Sequence, residues 1–410
     1  MVRHEQYGCF AAFFPTGKEG DTMEFRIAEK QDRGLIEALW AYCFEPKEDP
    51  FFQWYFRHVY RPENVLLGFK NEALACLTHL NPYTLRLRGR FVETSYIVGL
   101  ATHPAARHGG VGGKLLLAAL EEMKRRHHFV NILMPSKAGF YQPYGYELYC
   151  HQWQETMPLE ALRPFVVKDV RFAFLSDPDQ WHYLADIYAR YTADLSGYAV
   201  RNEESWRSHI AGQLAEGQIA VVFDGEQPIA YMFYKLGEPT INCGEFVYAT
   251  AKGKGGLLSY LYNHRSQGTA VRWNEGLHDE SYRFYPDGKE GHQTIPFMAG
   301  RIVDVKGALE SVAYAPSLAT SLTVAVADPL ASWNTGTFTL TVQGGAATVE
   351  YTPQAEPAVS LSVGALALLL FGAVDAAALA FNGRLDGTPK AVEALQNIFP
   401  KTKCYINEWY

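Results

Sequence analysis

Residues 107–113 read Arg-His-Gly-Gly-Val-Gly-Gly, with Lys114 and Leu115 next. The four glycines stand between an apolar, β-rich run at 95–102, halted by His103-Pro104, and a strong helix former at 115–126. Glycine lets the backbone turn sharply and lets a ligand approach the amides closely. The first amides of a helix have no intrahelical acceptor and lie at the positive end of its dipole. A glycine turn in this place is an anion site suited to a pyrophosphate. The spacing is neither Gly-x-Gly-x-x-Gly nor a P-loop, because Leu115 follows Lys114 where Ser or Thr is required. What stands is Arg-x-x-Gly-x-Gly, at Arg107, Gly110 and Gly112.

The helix leads into a second strand at 129–134, which ends at Pro135-Ser136. An aromatic turn closes the segment: Gly139-Phe140-Tyr141-Gln142-Pro143-Tyr144-Gly145-Tyr146. Strand, glycine turn, helix, strand and tyrosine turn in this order resemble the GCN5-related N-acetyltransferases. The resemblance implies that the glycine turn holds the pyrophosphate of acetyl-CoA. It implies that the preceding strand bonds the pantetheine arm through its backbone, and that Tyr141 faces the sulfur. Carried over by position, the acetyl-CoA contacts are Leu100, Ala101, Thr102, Arg107, His108, Gly109, Gly110, Val111, Gly112, Gly113, Ser136 and Lys137. His108 and Gly113 stand where some members carry Arg, which leaves Lys114 to compensate.

Around this segment the periodicity predicts a first strand at 24–29, a helix at 33–44 with Asp32 as its N-cap, and an aromatic helix at 51–56. A hairpin at 65–80 turns around Lys70-Asn71-Glu72, and 83–92 reads as one alternating strand. From Val166 the pattern starts again: strand 170–174, helix 180–191, a hairpin over 218–234, then strand 245–250 before Lys252-Gly253-Lys254-Gly255-Gly256. This is an internal repeat of the first unit. It lacks the Arg and the Phe-Tyr turn, so it is expected to bind no acetyl-CoA and to wall the acceptor site.

A third region begins near Phe297, with strands at 322–328, 336–342 and 347–351 and apolar segments at 358–381 and 391–399. It resembles a sterol-carrier-protein-like domain. The expected fold class is α/β (α+β): two tandem acetyltransferase units with mixed central sheets, then a sterol-carrier-like α/β domain. The expected boundaries are 1–22 for an N-terminal extension, 23–158, 159–297 and 298–410. This order of units is similar to the Eis (enhanced intracellular survival) family of aminoglycoside-modifying acetyltransferases. Arg301-Ile302-Val303-Asp304-Val305 and the aromatic end, Cys404 to Tyr410, support it. The resemblance implies a homohexamer, and a catalytic C-terminal carboxylate, here that of Tyr410.

Composition fits a soluble globular protein of 410 residues with two to three domains. A net charge of −7 argues against a nucleic-acid binder and suits a cationic small molecule. The six cysteines are scattered without Cys-x-x-Cys or Cys/His clusters, which predicts no metal and reduced, cytoplasmic thiols. The run at 358–381 contains Ser360, Ser362 and Asp375 and reads as a buried strand and helix rather than the ~20 apolar residues of a membrane span.

An amine attacking a thioester must first lose its proton, and the leaving thiolate must gain one. Tyr141, with an ordinary pKa of about 10, suits the second task. Tyr410 is the candidate base, although a free terminal carboxyl near about 3.5 needs burial to raise it. Glu93, at the strand entrance, is the runner-up. Candidate acceptor contacts are Glu45, Trp54 and Glu408. The function expected is direct acetyl transfer from acetyl-CoA to amines of aminoglycoside-like polycations. The alternatives are a protein lysine or polyamine N-acetyltransferase, and a non-catalytic binder of apolar ligands.

Overall fold

A computed structural model describes residues 23–107, 109–285 and 291–409. The extension at 1–22, His108 and Tyr410 lie outside the described residues. The chain divides into two compact units, Met1–Pro82 with Ser95–Arg126, and Tyr83–Thr94 with His127–Tyr410.

In the first unit, strand Met23–Ile27 pairs antiparallel with Val65–Lys70, which pairs antiparallel with the start of Ala73–Leu87. The hairpin turns at Asn71 and Glu72, both at positive φ, as the polar Lys-Asn-Glu break predicts. A long strand, Arg90–Thr102, follows, and its end lies beside the hairpin: the His103 amide donates to the Ala75 carbonyl at 2.8 Å. The expected single strand at 83–92 is broken by a turn at Arg88-Gly89, where both residues take positive φ. Helix Arg33–Cys43 forms as predicted, but Asp32 does not cap it. Asp32 is buried and takes two bonds from Arg26, at 2.7 and 2.8 Å, which hold its carboxyl below the usual range. Helix Val111–Arg125 buries Val111, Leu115, Leu116, Ala119, Leu120 and Met123, one stripe at helical spacing.

The second unit holds two sheets. The larger runs in the order Val130–Leu133, His292–Ile302, Glu147–Pro158, Ala270–Gly276, Thr240–Tyr248, Gln227–Lys235, Gln218–Asp224 and Arg171–Leu175. It is mixed, with Thr240–Tyr248 and Ala270–Gly276 parallel. The strand His292–Ile302 runs unbroken through the point where a third region was expected to begin, because it is flanked by Val130–Leu133 and Glu147–Pro158. The smaller sheet is ordered Ala346–Tyr351, Gly336–Gln343, Thr320–Ala327, Val359–Ser362, Leu385–Gly387. Its helix Val363–Phe371 is apolar on all sides and buried throughout, the expected sequel to strand Val359–Ser362. Among the described residues no helix is long and apolar enough to cross a membrane.

Candidate active site

The glycine turn has the conformation its spacing predicts. Gly109 and Gly110 take φ of +72° and +74°, the left-handed region open to glycine at little cost. Gly110 is the N-cap of the fifteen-residue helix Val111–Arg125, which therefore starts four residues earlier than predicted. No side chain caps this end, and its first turn carries no acidic residue. A Cβ at Gly109 or Gly110 would meet nothing within 4 Å, so a ligand has clear access to the backbone there. Arg107 is exposed and its Nε reaches the Thr102 carbonyl at 3.4 Å, tying the turn to the end of the strand. Open amides, uncompensated dipole and a neighbouring guanidinium together fit a phosphorylated ligand.

Gly99, inside the strand, takes φ of +60°. The Trp40 indole stands where a Cβ would be, its nearest carbon 2.3 Å from that point. The kink sets the direction of Leu100, Ala101 and Thr102, of which Ala101 is buried. Sequence reasoning passed over Trp40 and Gly99; a glycine within a β-rich run was the available signal. Trp40 stacks on Tyr55, with ring centroids 4.7 Å apart, and donates to Glu45 at 3.0 Å. Glu45 is thus part of an aromatic cluster, and Trp54 lies beside it, 5.6 Å from Phe51. His79 completes the cluster, its Nδ1 2.8 Å from the Tyr55 hydroxyl. Burial pushes its imidazole down to about 3, so it is neutral.

In the second unit, Ser136 and Lys137 are exposed just before a short helix, Ala138–Tyr141. Tyr141 is half-buried, and burial pushes its phenol up, so it keeps its proton at neutral pH. Gly145 closes the turn at φ of +84°, and any Cβ there would strike Val363 and Arg301. Arg301 donates to the Tyr144 carbonyl at 2.6 Å and to both oxygens of Asp328 at 2.7 and 2.9 Å. The tyrosine turn is therefore fixed by a buried ion pair.

The repeated glycine segment has a different use. Helix Ala251–Tyr262 is capped by the Thr250 side chain, which accepts from the Gly253 amide. A Cβ at Gly253, Gly255 or Gly256 would stand 2.5 Å from Ile229, Val167 or Val222. These glycines permit close packing, and Lys254 is buried against Glu275 at 2.5 Å and Asp279 at 3.0 Å. The uncapped helix start and the open space of the first turn are absent from this one.

Residues 405–408 are buried. Glu408, expected to meet acceptor cations, instead meets Arg201 at 2.7 Å, with the Tyr83 hydroxyl 3.5 Å away. Arg201 also binds Glu245 at 2.9 Å. Burial raises the Glu245 carboxyl, but Arg201 and His209 outweigh it and hold the group at about 2. Glu93 is exposed and accepts only a bond from Thr84, at 2.9 Å, among the contacts described. Among the described residues no group of three or more His, Cys, Asp or Glu side chains is placed to hold a metal.

Residues 24–149 and residues 197–302 each match an acetyltransferase (GNAT) domain family, and residues 305–407 match a sterol carrier protein domain family. No curated protein matches the chain. Solved structures share the fold over nearly the whole length. A GCN5-related N-acetyltransferase from Anabaena variabilis is 18% identical, with 95% of this chain and 100% of that one covered and a TM-score of 0.83. A conserved Enterococcus faecalis protein of unknown function is 20% identical over the same shares, with a TM-score of 0.84. Eis1 from Mycobacterium abscessus is 19% identical, again over 95% and 100%, with a TM-score of 0.74.

Proposed function

Because the chain is an N-acetyltransferase of the GNAT superfamily, built from two such domains and a sterol-carrier-protein domain, we propose that it moves the acetyl group of acetyl-CoA directly to an amine of a polycationic, aminoglycoside-like acceptor. The observation that carries this reading is the uncapped helix start behind two left-handed glycines, Gly109 and Gly110. The capped start of the second glycine helix supports a reading in which acetyl-CoA is bound by the first domain alone.

In this reading the amides of Val111, Gly112 and Gly113, with Arg107, take the pyrophosphate. His108, Ser136, Lys137 and the backbone of Leu100, Ala101 and Thr102 complete the acetyl-CoA contacts. The amine attacks the thioester carbon, and the C–S bond breaks as the N–C bond forms. Tyr141 gives its proton to the departing thiolate. The carboxylate of Tyr410 takes the proton of the amine. The net charge of −7 favours polycations. The reading includes a cytoplasmic homohexamer, which sedimentation would test.

The test is CoA release by protein with a native C-terminus, given an aminoglycoside, a polyamine and a lysine peptide in turn. Release with the aminoglycoside is expected. Release with the peptide or the polyamine alone would move the acceptor class. No release and no acetyl-CoA binding would leave the apolar-ligand binder as the reading to pursue.

A further inference from the structure

The tyrosine turn has little of its own to hold it in place. Its helix, Ala138–Tyr141, is four residues long, and no side chain caps it. A helix that short is marginal without tertiary support. Gly139, Phe140, Gln142 and Pro143 are exposed, and burial begins only at Gly145 and Tyr146.

Residues of the sterol-carrier region back that buried end in three places. Asp328 holds the Arg301 guanidinium, whose Nε donates to the Tyr144 carbonyl at 2.6 Å. The same guanidinium lies 5.9 Å from the Tyr146 ring, and Tyr146 meets Tyr141 edge-on, with centroids 5.8 Å apart. Val363, fully buried at the start of its helix, sits directly behind Gly145, 2.7 Å from where a Cβ would stand. The next residue, Gly364, backs on the Gly145 carbonyl and the Glu147 side chain, 3.3 and 3.0 Å from its own missing Cβ. Arg384 pairs with Glu147, the first residue of strand Glu147–Pro158. Two ion pairs and a close-packed helix start thus converge on residues 144–147.

A proton donor works only when it is held at the reacting atom, and a displacement of about 1 Å can cost on the order of 10²-fold in rate. We infer that the sterol-carrier region takes part in the reaction as the seat of the tyrosine turn, with Asp328, Val363 and Arg384 as positioning residues for Tyr141. This rests on the reading of Tyr141 as the acid that protonates the thiolate. None of the three touches a reacting atom in this scheme; each acts through the backbone and side chains of 144–147.

The test uses the full chain with Val363→Ala, which opens the space behind Gly145, and Arg384→Met, which frees Glu147 at a partly exposed pair that the fold tolerates losing. Amide exchange over 141–147 should be about tenfold faster than in wild type in both variants. With acetyl-CoA and neomycin, kcat should fall about tenfold for Val363→Ala and about threefold for Arg384→Met, with KM for acetyl-CoA within about twofold. Arg384→Lys, which keeps a cation for Glu147, should recover most of the loss. In a Tyr141→Phe background neither substitution should cost anything further. Equal losses with and without the Tyr141 hydroxyl would overturn the inference, since the residues would then act on the fold or at the acceptor. So would exchange over 141–147 that matches wild type in both variants, a measurement that needs no acceptor. Wild-type turnover by Tyr141→Phe would sink the acid reading and the catalytic role of the seat with it. A crippled Tyr141→Phe with additive losses would leave the acid reading standing and remove the seat alone.

Discussion

Arg301 and Asp328 form a fully buried, bidentate ion pair, and the same guanidinium donates at 2.6 Å to the carbonyl of Tyr144, inside the turn that carries Tyr141. Asp328 is satisfied on every side, by the Leu330 and Ala331 amides at 3.0 Å and by Asn334 at 2.9 Å. One pair thus joins strand His292–Ile302, the end of Thr320–Ala327 and the tyrosine turn. Removing one partner leaves a buried charge without compensation. Arg301→Met is expected to destabilise the protein by about 3–5 kcal/mol. Urea unfolding followed by tryptophan fluorescence measures this, and a loss under about 1 kcal/mol would mean that the pair contributes little.

Tyr141→Phe keeps the ring and removes only the hydroxyl, and with it the proton to be donated. Acetyl-CoA affinity should be unchanged, and kcat should fall about 10²-fold. Because burial raises the phenol pKa above its ordinary value, loss of this proton should lower wild-type activity only at a higher pH than for a free tyrosine. A stopped-flow pH series on both proteins decides it. Turnover of Tyr141→Phe within a few-fold of wild type would remove Tyr141 from the role.

Gly110→Ala separates backbone conformation from packing, since nothing stands within 4 Å of the added Cβ. The left-handed φ of +74° makes alanine cost about 1–2 kcal/mol. In the proposed reading the methyl would also intrude where the pyrophosphate approaches the backbone. Acetyl-CoA affinity by calorimetry should fall more than thermal stability does. Loss of stability with normal affinity would place the pyrophosphate elsewhere.

The Glu275 carboxyl offers a pH test. Burial pushes it up to about 7 from an ordinary 4.5; Lys254 opposes the rise and Asp279 adds to it. A carboxyl raised on folding stabilises the protein below 4.5, and this contribution is lost as pH climbs through about 7. Glu275→Gln should therefore gain on wild type between pH 5 and pH 8, by on the order of 1–3 kcal/mol. Chemical denaturation at the two pH values measures it. A difference between the proteins that does not change with pH would mean that the group does not titrate there.

The conformation of the glycine turn was legible in the residues, because it is local. Gly109 and Gly110 permit left-handed φ, and Val111 and the leucines after it start a helix whose first amides are open. The same holds for the tyrosine turn, closed by Gly145. Strand and helix periodicity carried most elements, and it showed the chain repeating itself after Val166. Only the tertiary structure could decide what the similar glycines at 253, 255 and 256 do, because the answer lies in the distant residues that crowd them. It also revealed Trp40 filling the space left by Gly99, fifty-nine positions away by number. Glu408 read as a candidate contact for acceptor cations or a surface carboxylate, and the fold sets it, buried, against Arg201, 207 residues earlier. A glycine's torsion is a property of the chain at one point. The role of a charge is set by what burial brings against it, and partners so distant in sequence meet only in the folded protein.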